Sequence, residues 1–196
     1  MISTPLNIQN LRVNRKSKCI CSLPQLTAEQ GDRINIQGLN GSGKSTLFRV
    51  IAGLEQNYQG KVFLSQHLKP IGFVQQNPYL FRGTVRSNLL YGAQGKAISH
   101  ADEKAHEIAE KLELTDLLDR KAKHLSGGER RRVALGRTMI LSPSLLLLDE
   151  PFAEMDLPGT AATSAYLDSL QETTILIATP TPLPKMPFSP RIVTID

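Results

Sequence analysis

The sequence predicts an α/β fold, a mostly parallel sheet interrupted by a helical insert between about residues 78 and 124. Three observations predict it. Strand-like runs alternate with segments of helical period along most of the chain. A glycine-rich loop follows one such strand and opens a helix. Two continuous apolar runs, at 145–148 and 174–178, are too short for helices and suit strands buried on both faces.

Each element follows in order. Residues 6–36 read as short strands broken by turns, with apolar Leu6, Ile8 and Leu11 and a turn at Gly31-Asp32. Residues 33–37 alternate and run into the glycine-rich loop, and 44–53 read as a helix closed by Gly53. Strands are expected at 61–64 and 71–75. Helices are expected at 84–90, 100–112 and 126–141, the last stopping before Pro143. The runs at 145–148 and 174–178 follow as strands, with a weaker third at 191–195.

With 196 residues the chain fits one domain that buries roughly 70% of its unfolded surface. The composition, 40% hydrophobic with 2 Cys, excludes collagen-like, disulfide-scaffold and wholly disordered classes. The four leucines at 145–148 are far short of the ~20 apolar residues of a spanning helix. The first ten residues lack the charged start and apolar stretch of a signal peptide, so a soluble cytoplasmic chain is expected. The net charge of +5 gathers near Arg12, Arg15, Lys16 and Lys18 and at residues 130–132. It is too modest to argue for nucleic acid and reads as a solvated face. Cys19 and Cys21, two apart in a strand, are expected on one face as reduced thiols.

The glycine-rich loop is Gly38-Leu39-Asn40-Gly41-Ser42-Gly43-Lys44-Ser45, glycine and four residues before glycine-lysine-serine. Gly41 and Gly43 permit turns and close approach that a Cβ would block. The amides of residues 40–46, Thr46 included, then face phosphate oxygens at the positive end of a helix. Lys44 suits the β- and γ-phosphates, and the Ser45 hydroxyl suits Mg2+. The second motif is Asp149-Glu150 at the end of the 145–148 strand, where an open parallel sheet binds ligands. Asp149 suits Mg2+, through water, and Glu150 suits the polarising of an attacking water.

A third motif, Leu125-Ser126-Gly127-Gly128-Glu129, opens a helix and makes a second anion-binding N-terminus. One nucleotide does not need two cradles, but two chains arranged head-to-tail do, each closing on the other's γ-phosphate. With these three motifs in this order, the chain resembles the ATP-binding cassette ATPases along essentially its whole length.

The resemblance implies a P-loop NTPase core with a small antiparallel β lobe in residues 1–77, a helical subdomain at about 78–124 and a return to the core at 125–196. It implies ATP and Mg2+ as ligands. Gln76 matches a glutamine that touches Mg2+ and the attacking water, with Gln75 the neighbouring candidate. Asp156 resembles the aspartate of a loop at the dimer interface. Residues 79–86 resemble a surface on which a transmembrane partner's cytoplasmic helix docks. The implied protein is the ATP-hydrolysing subunit of a transporter, a homodimer or heterodimer peripheral on the inner face of the membrane beside integral membrane subunits.

Two departures qualify this. Where relatives carry a histidine after the 174–178 strand, this chain has Pro180, and the prolines at 182, 184, 187 and 190 forbid the usual helix. Slow or partner-dependent hydrolysis is therefore expected, with the Thr179 hydroxyl a possible partial substitute. Relatives also stack the base on an aromatic side chain near position 15, where this chain has Arg15, whose planar guanidinium can stack instead. The alternatives are a degenerate regulatory cassette paired with a competent one, and a soluble cassette ATPase acting on nucleic acid.

Overall fold

The computed structural model describes residues 5–94 and 98–195, which divide into two compact units. The first takes the chain as far as Gln76, then Pro143–Glu150, then from Gln171 onward. It holds β1 (Leu6–Arg15), β2 (Lys18–Ala28), β3 (Arg33–Gln37), α1 (Lys44–Ile51), β4 (Gln59–Leu64), β5 (Ile71–Val74), β6 (Leu145–Asp149), β7 (Thr174–Thr179) and β8 (Arg191–Thr194). Five of these strands form a sheet of order β5-β6-β7-β3-β8, parallel at every pairing. The other three make a small antiparallel sheet, β2-β1-β4.

Every residue of β6 and β7 is buried, as continuous apolar strands at a sheet centre require. Leu145, Leu147 and Leu176 join one core with Leu47 and Phe48 of α1 and Ile8, Leu11 and Leu23 of the small sheet. Thus α1, which follows the glycine-rich loop, is anchored by its apolar face against the strands that carry the other site residues.

Strands β1 and β2, of 10 and 11 residues, are longer than the broken pattern predicts. The reason is a bulge. Val13 pairs with Cys21 and Asn14 with Cys19, leaving Ile20 unpaired. The slip overturns the expectation that the two cysteines share a face: Cys19 is exposed and Cys21 is buried. Burial, with Cys19 beside it, pushes the Cys21 thiol up to about 11.

The second unit, Asn77–Ser142 and Pro151–Leu170, holds α2 (Val85–Tyr91), α3 (Ala101–Lys111), α4 (Gly127–Met139) and α5 (Leu157–Ser169). The insert read from the sequence closes at about 124, whereas α4 packs on α2, α3 and α5, and the compact unit takes in all four helices. Helix α5 has no counterpart in the sequence reading. Its apolar residues do not gather on one face, and Gly159, Thr160 and Thr163 are poor helix formers. Its start is nevertheless marked, since Asp156 caps it by accepting from the Gly159 amide at 2.9 Å, with Pro158 in the first turn.

Asn88 fastens the start of this unit. Its Oδ1 accepts from the Phe81 amide at 2.8 Å, and its Nδ2 donates to the Phe81 and Thr84 carbonyls, both at 3.0 Å, in a fully buried position. Truncation leaves the Phe81 amide and carbonyl unpaired, whereas the Thr84 carbonyl keeps the Asn88 amide and the Ser87 hydroxyl. Asn88→Ala should destabilise by about 2–3 kcal/mol, lowering the melting temperature by roughly 4–12 °C in a thermal melt. No helix among the described residues is long and apolar enough to cross a membrane. Residues 180–190 form neither helix nor strand, as their prolines dictate.

Candidate functional site

The first unit gathers its polar groups at the C-terminal ends of β3, β6 and β7. The loop leaves β3 with the Gly38 amide donating to the Thr179 carbonyl at 3.3 Å, and the Glu150 amide donates to Ala178 at 2.9 Å. Gly43 has φ +95, and a Cβ on it would lie 2.2 Å from the Ile20 carbonyl oxygen. Both facts demand glycine. At Gly41 (φ +89) a Cβ would meet nothing within 4 Å, so that side of the loop is open.

Lys44 is 5% exposed, and its Nζ donates to the Gly38 and Leu39 carbonyls at 2.6 and 2.8 Å. Burial lowers its pKa, and the carboxylates of Glu150 and Asp149 oppose that shift. Asp149, 3% exposed, has its pKa raised chiefly by burial, against the stabilising hydrogen bond from Ser45. Its Oδ1 is buried without a hydrogen-bond partner. Glu150 is held in the left-handed region at φ 49, a conformation costing about 1–2 kcal/mol that fixes where its carboxylate projects.

A cavity of about 320 Å³ opens here. Asn40, Gly41, Gly43, Lys44, Ser45, Thr46, Gln76 and Glu150 line it, together with Ile20. So eight sequence-predicted residues converge, and Gln76 rather than Gln75 is the glutamine that faces them. Ile20 is new. It reaches the cavity as the unpaired residue of the β2 bulge, which strict alternation cannot foresee.

Other candidates lie elsewhere. Gly38, Leu39 and Ser42 line a different cavity of about 490 Å³ with Gln37, Pro180, Thr194 and Ile195. Arg15 does not line the first cavity and instead pairs with Glu55 at 3.0 Å, its side chain 60% exposed. The Thr179 hydroxyl donates to Asn35 Oδ1 at 3.0 Å, inside the sheet.

Chemically, the first cavity offers an anion the Lys44 cation and the amide-bearing end of α1. It offers a hard cation the Ser45 hydroxyl, the Gln76 amide oxygen and the Glu150 carboxylate, while Asp149 does not line the cavity and sits buried behind Ser45, its hydrogen-bond partner. The unpartnered Asp149 oxygen is the kind of group such a cation satisfies, and Mg2+ fits a set of one or two carboxylates completed by phosphate and water.

The third motif lies in the second unit. Ser126 caps α4 by accepting from the Glu129 amide at 3.2 Å, while Glu129 accepts from the Ser126 amide at 2.7 Å. This reciprocal box sets the first turn. Gly127 and Gly128 pack against Glu154 and Met155, and a Cβ on Gly128 would fall 2.9 Å from the Glu154 carbonyl oxygen. At residues 79–91 the Phe81 ring stacks on Tyr91 at 3.7 Å and meets Tyr79 edge-on at 5.5 Å. Arg137 lies over Phe81 at 5.1 Å and donates to the Tyr79 carbonyl at 2.8 Å. Tyr79 remains 69% exposed.

A family model described as ABC transporter matches residues 23–153. The sulfate/thiosulfate import ATP-binding protein of Synechococcus elongatus is 44% identical over 144 residues, 67% of this chain and 41% of that protein. The sn-glycerol-3-phosphate import ATP-binding protein of Rhizobium etli is 34% identical over 206 residues, 98% of this chain and 59% of that protein. The chain thus spans about half the length of these relatives. Among solved structures, an ATP-binding cassette of an ABC transporter in its ADP conformation is 29% identical, with a TM-score of 0.75 over 90% of this chain and 81% of that one.

Proposed function

The chain belongs to the ABC transporter family, and from that premise we propose that it is the ATP-binding and ATP-hydrolysing subunit of an importer, driving separate membrane subunits through nucleotide-induced dimer closure. The convergence of Lys44, Ser45, Gln76 and Glu150 on one cavity, beside the unpartnered Asp149 oxygen, carries the reading. The loop amides and Lys44 hold the β- and γ-phosphates, with Lys44 exchanging the Gly38 and Leu39 carbonyls for phosphate oxygens. Ser45, Asp149 and Gln76 are the residues that would hold Mg2+, which when bound neutralises phosphate charge. Gln76 orients the attacking water, and Glu150 accepts its proton. Ile20 offers the base or sugar an apolar contact, whereas Arg15 must leave Glu55 to stack.

The turn of Ser126, Gly127 and Gly128 receives the γ-phosphate bound by a second cassette, alike or related. The exposed aromatic surface around Tyr79 and Phe81 suits a cytoplasmic helix of an integral membrane subunit, which would place the chain on the inner face of the membrane. The relatives' names, which include sulfate, molybdenum, glycerol-3-phosphate and maltose import, favour import. Hydrolysis is slow in this reading. Pro180 lines the other cavity, Thr179 is engaged by Asn35, and the last histidine of the chain is His124.

Titration with a fluorescent ATP analogue tests the nucleotide site. Lys44→Ala should weaken binding about tenfold to a hundredfold, the worth of charged hydrogen bonds, without loss of the far-UV circular dichroism spectrum. Absence of ATP binding by the unaltered chain would end the proposal.

A further inference from the structure

A carboxylate already lies beside the turn assigned to a neighbour's phosphate, in contact with Gly127 but not hydrogen-bonded to the turn's amides. Glu154, in the loop leading into α5, adopts the left-handed conformation at φ 59. It places Oε2 so close over Gly127 that a Cβ there would lie 1.9 Å from it. Its Oε1 accepts from Arg131 Nη2 at 3.3 Å. Arg131 is 7% exposed along its side chain, and its Nε is buried without a hydrogen-bond partner. The Glu154 side chain is 65% exposed, and Arg131, bonded to Oε1, is its one hydrogen-bond partner among the described residues. Glu129 brings a second carboxylate to the same turn, but the capping box and Arg120 at 3.4 Å hold it in place. Of the two acids, Glu154 is the movable one.

The first turn of a helix carries unpaired amides and a positive partial charge, which a carboxylate and a phosphate satisfy alike. We propose that Glu154 is an internal stand-in for the phosphate that the turn of Ser126, Gly127 and Gly128 receives, so that dimer closure must displace its carboxylate and the ATP concentration needed for closure is set by it. This rests on the dimer-closure reading above. Arg131 positions the stand-in and keeps hold of its Oε1 as Oε2 withdraws. At an exposed helix N-terminus one charge is worth about twofold to fivefold in an equilibrium, and two symmetric sites multiply to roughly fourfold to twenty-fivefold in the dimerisation constant.

The test compares full-length Glu150→Gln, which should retain bound ATP, with the double variants adding Glu154→Gln or Glu154→Ala. Each is titrated with ATP and Mg2+ while dimer mass is followed by analytical ultracentrifugation. Both double variants should dimerise at an ATP concentration roughly twofold to fivefold lower, because two ATP bind per dimer and the midpoint follows the square root of the dimerisation constant. Affinity of the monomer for a fluorescent ATP analogue should change by less than about twofold, since Glu154 does not line the first cavity. An unchanged or higher midpoint in both double variants overturns the stand-in role while leaving dimer closure intact. Failure of all three proteins to dimerise with ATP overturns dimer closure, and the stand-in role with it.

Discussion

Glu150→Gln should bind ATP with nearly unchanged affinity and release phosphate about 10²- to 10⁴-fold more slowly than the unaltered chain, the usual contribution of a positioned general base. The backbone dictates the clean separation of binding from turnover. Glu150 is held by its left-handed φ and by its amide on the Ala178 carbonyl, neither of which depends on the side-chain charge. The amide is isosteric and stays in the cavity, but it cannot accept the water proton. The lower end of the range is the expected one. In the proposed reading, Pro180 in place of the relatives' histidine makes turnover slow, so less rate remains to be lost. Steady-state phosphate release at saturating ATP measures the ratio, and analogue titration measures affinity. Turnover unchanged by the substitution would remove Glu150 from the role of base. Fast turnover in the unaltered chain would remove the argument from Pro180.

Much of this site was legible in the sequence because local covalent constraints spell it. A glycine at φ +95 in contact with backbone, a lysine opening a helix and two acids ending a buried strand each need particular residue types at fixed spacing. Helix starts were legible at Thr84 and Ser126, but their capping, Ser126 with Glu129 and Thr84 with the Ser87 amide, emerges only from the structure. What escaped depends on partners remote in sequence or on broken periodicity. Ile20 enters the cavity because β2 slips by one residue against β1, and that slip also separates the two cysteines. Arg15 finds Glu55, forty positions on, and no spacing rule reaches that far. Helix α5 went unread because its stability comes from packing within its unit rather than from an amphipathic stripe. The seating of Glu154 over Gly127 needed coordinates as well, since 27 positions separate the two residues.

Gly43→Ala tests the loop more severely than any charge removal, because it attacks the backbone on which every donor hangs. The added Cβ would stand 2.2 Å from the Ile20 carbonyl oxygen and 2.8 Å from the Cys21 Cα. Both are backbone atoms of a strand paired to β1, so neither can yield as the tip of a flexible side chain could. The left-handed φ adds about 1–2 kcal/mol for any residue bearing a Cβ. Together the strain should exceed about 3 kcal/mol, lowering the melting temperature by roughly 6–12 °C. The loop has one escape, to rotate Gly43 out of the left-handed region. That would turn the amides ahead of α1 away from the cavity and shift Lys44, the first residue of the helix. The variant therefore either melts early or survives with a collapsed cradle, and in both cases ATP affinity should fall by more than about a hundredfold, beyond the loss in Lys44→Ala. A variant of unchanged stability and unchanged ATP affinity would show that the contact between the loop and the β2 bulge does not shape the nucleotide site.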